Sequence, residues 1–230
     1  MKKLFSLILL LGCSYLSSHA QFIVLRGGYS LSSIYSRTYP GTPDDTKSIN
    51  GFQFGILDEF PISTTVKWLT LETGFIIQTK GSDITYIRYH VTHPSQIIDN
   101  LTNLYYLDIP FSVKIYSSVG KTSLYFEVGP YVGIGLSGKV YDTGYSPPQT
   151  TKISWGPSKI DDYKRFDGGI SMGVGLKINL IQIGLSYDLG LANIFPFGGP
   201  DNYAHNRVFS VFMEFMIHRK DKSVDTGNKL

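Results

Sequence analysis

Three sets of residues in this 230-residue chain have side chains suited to chemistry. The first is the histidines. His90 and His93 lie three apart, with Asp99 just beyond, and His205 lies far downstream. Imidazole and carboxylate together can hold a metal or pass a proton. That spacing suits one face of a helix, whereas the surrounding residues read as strand and loop, so solvated loop histidines are the expectation. The second is Ser95 with His93 and Asp99, the residue types of a hydrolase. No nucleophile motif frames them, so no catalytic residue is assigned. The third is a scatter of charges inside otherwise apolar or glycine-rich runs: Arg26, Lys114 and Lys177 against Glu72, Asp108, Glu127, Asp188 and Glu214. No cofactor and no metal is expected at any of them.

What those charges do depends on the elements that carry them. Beyond residue 21 no helical period is found, and about eight runs alternate apolar with small or polar residues, which is the pattern of strands. In Leu124 to Lys139 one row is Leu124, Phe126, Val128, Pro130, Val132, Ile134 and Leu136. The other row is Tyr125, Glu127, Gly129, Tyr131, Gly133, Gly135, Ser137 and Lys139. The same division recurs over 105–116, 170–178, 181–191 and 209–217, and less cleanly over 23–32, 50–62 and 67–80. Asp58 falls on the apolar row of its run and makes that register the least secure. Long polar connections, near 33–48, 81–103, 138–165 and 193–206, alternate with short turns near 61–65, 117–121 and 179–180. That alternation is the habit of outer-membrane barrels, which have short periplasmic turns and longer extracellular loops.

A water-soluble barrel also alternates, so the content of the two rows must decide. The polar row is mostly Gly and Ser with a few charges of both signs, while the apolar rows of the clear runs carry no charge. A solvated face has no need to be so poor in side chains, whereas a crowded interior has. A basic residue turned toward mid-bilayer lipid costs roughly 2–4 kcal/mol. The expected fold is therefore an all-β, eight-stranded antiparallel up-and-down transmembrane barrel with a filled lumen. The eight charges just named form a structural network inside it. Tyr29, Tyr105 and Tyr187, near the ends of apolar rows, suit interface girdles. Alternating glycines such as Gly133, Gly135, Gly173 and Gly175 are wall packing and no phosphate loop, because no helix follows them.

The ends of the chain read differently. Lys2 and Lys3, the apolar run Leu4 to Leu11, and Ser18-His19-Ala20 form a secretory signal over 1–20, with cleavage between Ala20 and Gln21. The apolar run is far shorter than a spanning helix of ~20 residues. Leu10-Leu11-Gly12-Cys13 loosely matches a lipobox and leaves lipidation of Cys13 as the alternative. Cys13 is the sole cysteine, so a chain cleaved at Ala20 has no disulfide and no thiolate site. The barrel spans 21–218, and a polar tail spans 219–230. With a net charge of +3 that is dispersed along the chain, nucleic acid is not an expected partner. Outer-membrane lipids and other outer-membrane or periplasmic proteins are.

Three segments carry a family likeness. They are Tyr106-Leu107-Asp108-Ile109-Pro110-Phe111-Ser112-Val113-Lys114, Gly129-Pro130-Tyr131-Val132-Gly133, and Phe166-Asp167-Gly168-Gly169 leading to Gly173-Val174-Gly175. Together they resemble the PorT-like outer-membrane β-barrel family across nearly all of the mature chain. The resemblance implies an eight-stranded barrel in the outer membrane of a Gram-negative bacterium. One branch of that family is associated with type IX protein secretion, and many members have no assigned role. The expectation for function is a non-enzymatic barrel whose extracellular loops bind, through aromatics such as Tyr86, Tyr89, Tyr141, Tyr145, Trp155 and Phe195, or which serves an outer-membrane assembly or secretion complex. The alternatives are a rim enzyme acting on lipid or peptide, and a small-solute channel.

Overall fold

A computed structural model describes residues 22–37, 46–63, 65–66, 68–88, 96–196, 198–199 and 202–218. The signal segment with Cys13, Ala20 and Gln21, the histidines His90 and His93, Ser95, and the tail 219–230 lie outside the described residues.

Ten strands are described: β1 (Phe22–Arg37), β2 (Thr46–Lys47), β3 (Ile49–Pro61), β4 (Leu69–Arg88), β5 (Gln96–Val119), β6 (Thr122–Asp142), β7 (Gln149–Lys152), β8 (Phe166–Ile178), β9 (Ile181–Gly190) and β10 (Tyr203–His218). Eight of them form the wall. Each pairs antiparallel with its neighbour in the order β1, β3, β4, β5, β6, β8, β9, β10, and β10 returns to β1 from Phe22↔His218 to Arg37↔Tyr203. Closure leaves no free edge around the wall, the condition for spanning a membrane with strands. The short β2 and β7 extend β4 and β6 at one end.

The side chains divide as the alternation predicts. Glu127 is 2% exposed, whereas Val132 and Leu185 are each 44% exposed. On β10 the outer row is Phe209, Val211, Met213, Phe215 and Ile217, and the inner row is Ser210, Phe212, Glu214 and Met216. A chain that turns its greasy rows outward and buries its carboxylates is built for acyl chains outside. On β3, Asp58 lies in the outer row near the short-turn end, and Glu59, which the sequence reading passed over, points inward.

Two features shape the wall. Two-residue turns join Val119 to Thr122 and Ile178 to Ile181. Their first residues, Gly120 and Asn179, hold φ of 65° and 55°, which matches hairpin turns twisted in the sense of the strands. The β5–β6 register slips between Tyr105 and Tyr106, where Leu136 is left unpaired. Beyond this bulge the inward parity of β6 reverses, so Gly138 is buried and Lys139 is exposed. Lys139 was expected on the inner row, and the extra residue corrects that expectation.

The long connections are shorter than the sequence suggested. β4 runs to Arg88, β5 starts at Gln96, β6 ends at Asp142 and β10 starts at Tyr203, all within stretches read as loops. Above the membrane no lipid demands an apolar outer row. The period-2 signal therefore fades while the backbone ladder continues. Strands of 20, 24 and 21 residues in β4, β5 and β6 exceed by far the ~9–11 that cross the hydrocarbon. The strands that follow β6 around the wall, β8 and β9, have 13 and 10 residues. Short turns and both described chain ends share one end of the barrel, which is the periplasmic end by the usual asymmetry.

Candidate functional site

The lumen is filled in layers. At the centre of the lower half Arg26 donates through Nε to Glu214 at 2.6 Å and through Nη2 to Glu72 at 2.9 Å and Glu127 at 3.4 Å. Lys114 Nζ reaches the same three carboxylates and lies 3.9 Å from Glu59. These six residues come from β1, β3, β4, β5, β6 and β10. Arg26 opposes Glu214 and Lys114 opposes Glu127 directly across their ladders. Glu59 faces Glu72 in the same way, a like-charge pair that would repel without Lys114 between. The Arg26 guanidinium also lies 4.1 Å from the Phe212 ring centre and Lys114 5.0 Å from that of Tyr125, favourable placements for buried cations. Tyr125 has room because Gly175 and Gly184 stand beside it: a Cβ on either would come within 2.5 Å of its hydroxyl.

Asp108 and Asp188, expected in the same network, sit higher. Asp108 shares Lys80 with Asp167, each at 3.0 Å. Asn206 donates to Asp167 at 2.9 Å, and Lys80 lies between the rings of Tyr106 and Tyr131. Asp188 accepts from Gln78 and Ser171. A cavity of about 20 Å³ lined by residues including Gln53, Asp108, Ser186 and Asp188 lies among these groups. Lys80, Asp167 and Glu59 were missed in the sequence, yet each shares the parity of an inner-row residue on its own strand: Glu72, Ser171 and Gln53 respectively. Glu59 and Lys80 lie inside the runs 50–62 and 67–80 and follow from parity alone, and Asp167 lies two alternation steps before Ser171.

Lys177 departs from expectation. It is half-buried at the periplasmic end, and its cross-strand partners are Ser123 and Gln182, neither of them acidic. Among the described residues it forms no ion pair, and its Nζ lies 5.0 and 5.1 Å from the ring centres of Phe22 and Tyr116. It lines a cavity of about 440 Å³ with Phe22, Glu59, Thr65, Trp68, Thr70, Tyr116, Ser118 and Ser123. Below the charge cluster Tyr116 donates to Glu59 at 2.9 Å, and Gln182 reaches both at 3.3–3.4 Å. That triad is the floor between cavity and network.

The extracellular mouth is closed by apolar side chains. Ile34, Leu104, Tyr106, Ile153, Ile194 and Ala204 form a buried cluster, with Val140, Trp155, Tyr163 and Phe195 packed on it. Trp155 meets Tyr106 edge-on at 5.6 Å, and Tyr163 stacks on Phe195 at 6.0 Å. Trp155 lies over Gly135, where a Cβ would come within 2.5 Å of its ring. Backbone bonds from Gly135 to Arg165 (2.7 Å) and from Ile153 to Gly138 (3.0 Å) pin this segment to β6. Burial pushes the Tyr163 hydroxyl up to about 12. From sequence alone 138–165 reads as a polar loop. Its inward fold could not be read from alternation, because the apolar residues have no regular spacing.

The remaining candidates are dispersed. Asp99 accepts from Thr85 at 2.8 Å, and His205 Nδ1 lies 3.0 Å from the carbonyl of Ala192. Among the described residues no group of three or more His, Cys, Asp or Glu could hold a metal ion. Tyr29 is half-exposed on the outer wall and bonds Asn50.

No curated protein sequence matches the chain. Among solved structures it is similar to Ail, the attachment invasion locus protein of Yersinia pestis, at 14% identity, covering 86% of this chain and 99% of that one with a TM-score of 0.39. It is also similar to Neisserial surface protein A (NspA), at 9% identity, covering 84% and 96% with a TM-score of 0.41. The profile of the family described as "Outer membrane protein beta-barrel domain" matches residues 19–196, well over half of the chain. A closed ring of eight strands, an apolar outer surface and that match give one conclusion: this chain belongs to the outer-membrane β-barrel domain family and resides in the outer membrane of a Gram-negative bacterium.

Proposed function

We propose that the protein is a closed, non-catalytic barrel that works by presenting its extracellular extension to a binding partner, and that nothing passes through its lumen. The height of β4, β5 and β6 carries this reading. These strands lift a sheet out of the membrane on one side of the barrel, with β2 and β7 paired at its margins. Tyr141, Tyr145 and Ile160 are exposed at that end, and surface segments on a rigid scaffold are where binding function concentrates. The filled layers argue against conduction, since an eight-stranded wall leaves only enough room for side chains.

The PorT-like likeness belongs to the same reading. Its segments supply Asp108, Lys114 and Asp167 to the interior and Phe111 and Val132 to the outer wall, so the likeness rests on residues that build the barrel.

Crosslinking and affinity purification from native outer membranes test the proposal, with intact protein compared to a variant in which residues 86–97 of the β4–β5 hairpin are excised. The excised barrel is expected to fold and to lose its partner. Equal recovery of the same partner by both, or a stable large conductance of the intact barrel in planar bilayers, overturns the reading.

A further inference from the structure

The periplasmic cavity is unlike every other charged part of the lumen. In the layers above it each cation meets at least two carboxylates within 4 Å: Arg26 meets three, Lys114 four and Lys80 two. Lys177 meets none among the described residues, although it occupies the same inner row of β8 as Asp167, Ser171 and Gly173. A half-buried ammonium without an ion-pair partner is costly. Its ladder neighbours Ser123 and Gln182 cannot supply one, and Glu59, the carboxylate that shares the chamber, is taken up by Lys114 and Tyr116. A second observation comes from the opposite wall. Thr70, 7% exposed, also lines the cavity, and its hydroxyl has no hydrogen-bond partner among the described residues. Buried hydroxyls seek partners, and of those left without one, which include Ser30, Ser82 and Ser210, Thr70 is the one that lines this chamber. The two groups come from strands on different sides of the barrel, β8 and β4, and share one chamber of about 440 Å³, within the range of small-molecule sites.

We infer that this chamber is a binding site, open to the periplasm, for a small monocarboxylate with an apolar or aromatic body, such as the C-terminal residue of a peptide. The Lys177 ammonium takes the carboxylate, the Thr70 hydroxyl donates to it or accepts from the adjoining amide, and Phe22, Trp68 and Tyr116 enclose the body. Charge selects the class. Lys177 balances one negative charge, and the repulsion from Glu59, which Lys114 and Tyr116 partly offset, falls twice as heavily on a dianion such as inorganic phosphate as on a monoanion. A lipid phosphodiester has the same single charge, but its acyl chains must stay outside a wall that has no gap between paired strands. The site is independent of the extracellular reading, since it lies at the other end of the barrel.

Trp68 and Trp155 are the two tryptophans of the chain, and only Trp68 lines the chamber. The full barrel, refolded in zwitterionic detergent micelles with ¹⁵N-labelled indoles, therefore reports binding through one of two indole signals, assigned with Trp68→Phe. N-acetyl-phenylalanine is expected to shift the Trp68 signal saturably and leave that of Trp155 in place. Its neutral amide is expected to bind at least about tenfold more weakly, the loss typical of a charged hydrogen bond. Lys177→Met is expected to lose about tenfold, Lys177→Arg to keep most of the affinity, and Thr70→Val, which leaves the charge network untouched, to lose about threefold. Amide binding as tight as acid, phosphate binding as tight as either, or an unchanged affinity in both Lys177→Met and Thr70→Val overturns the inference. So does loss of acid binding in bilayers containing anionic phospholipid, which would make a lipid headgroup the occupant.

Discussion

The charged middle of the barrel and the aromatic cap at its mouth fill the same lumen by opposite means. In the middle, six ionisable side chains from six strands meet around Arg26 and Lys114, some between neighbouring strands, as Arg26 with Glu214, and others across the lumen, as Arg26 with Glu127 and Lys114 with Glu214. At the mouth the connection 153–163 folds onto Tyr106 and Gly135, packs with Ile194 and Phe195 of the β9–β10 connection, and closes the opening by apolar contact. The difference teaches where the wall is tied together and where it is only covered. Charges buried in low dielectric interact strongly and leave no cheap way to lose a partner, so the middle fixes which strand stands opposite which. Apolar cover is non-directional and tolerates adjustment. It suits a segment whose residues follow no strand register.

Removing one charge from the middle is the most damaging way to test that contrast. Lys114→Met leaves Glu59, Glu72, Glu127 and Glu214 facing one arginine, and is expected to cost about 3–5 kcal/mol. The check is the urea midpoint of folding into lipid vesicles, followed by the heat-modifiable band shift on gels. A change below about 1 kcal/mol would erase the distinction. Lys80→Met is expected to fall slightly lower, at about 3 kcal/mol, since it strands two carboxylates, Asp108 and Asp167. Adding Asp108→Asn and Asp167→Asn should recover much of that loss in the same assay, because the penalty lies in unpaired charge. Trp155→Ala, at the cap, is expected to cost about 2 kcal/mol, less than the roughly 3–5 kcal/mol typical of a fully buried large aromatic, because the ring is only partly buried. A cost equal to that of Lys114→Met would mean that the cap also ties the wall.

The smallest expected effect is one of pH, again at the cap. Tyr163 keeps its proton up to about 12 in the folded barrel, against an ordinary value near 10. Its folded value is raised, so the stability it lends is present below about 10 and is lost as the pH climbs to about 12. Tyr163→Phe should flatten the decline of stability over that window. It should also remove one late-rising tyrosinate from the ultraviolet titration, seen in the difference between wild type and variant. An absorbance difference that rises near pH 10 would show the hydroxyl to be in water.

The sequence legibly carried whatever repeats every second residue. Leu124, Phe126, Val128 and Val132 against Tyr125, Glu127 and Gly133 could be assigned to two faces with no coordinates at all, because successive side chains of a strand leave opposite sides. From the same rule came the inner placement of Arg26, Glu72, Asp108, Lys114, Glu127, Asp188 and Glu214. Periodicity also limited the reading. It ended near Lys80 and began again at Tyr105, although β4 and β5 continue past both, since beyond the bilayer only hydrogen bonds between strands hold the ladder and these impose no residue type.

Other features were decided by the three-dimensional arrangement alone. The unpaired Leu136 turns Lys139 outward, and one extra residue in a ladder leaves no mark on composition. The division of the charges into one group around Arg26 and Lys114 and another around Lys80 depends on height along the barrel, which stagger between strands sets. Lys177 has the same row and residue type as a network member. It stands apart because the partners that register brings opposite it, Ser123 and Gln182, carry no charge. Alternation along one strand determines which way a side chain points. What it meets there is determined by the other seven strands.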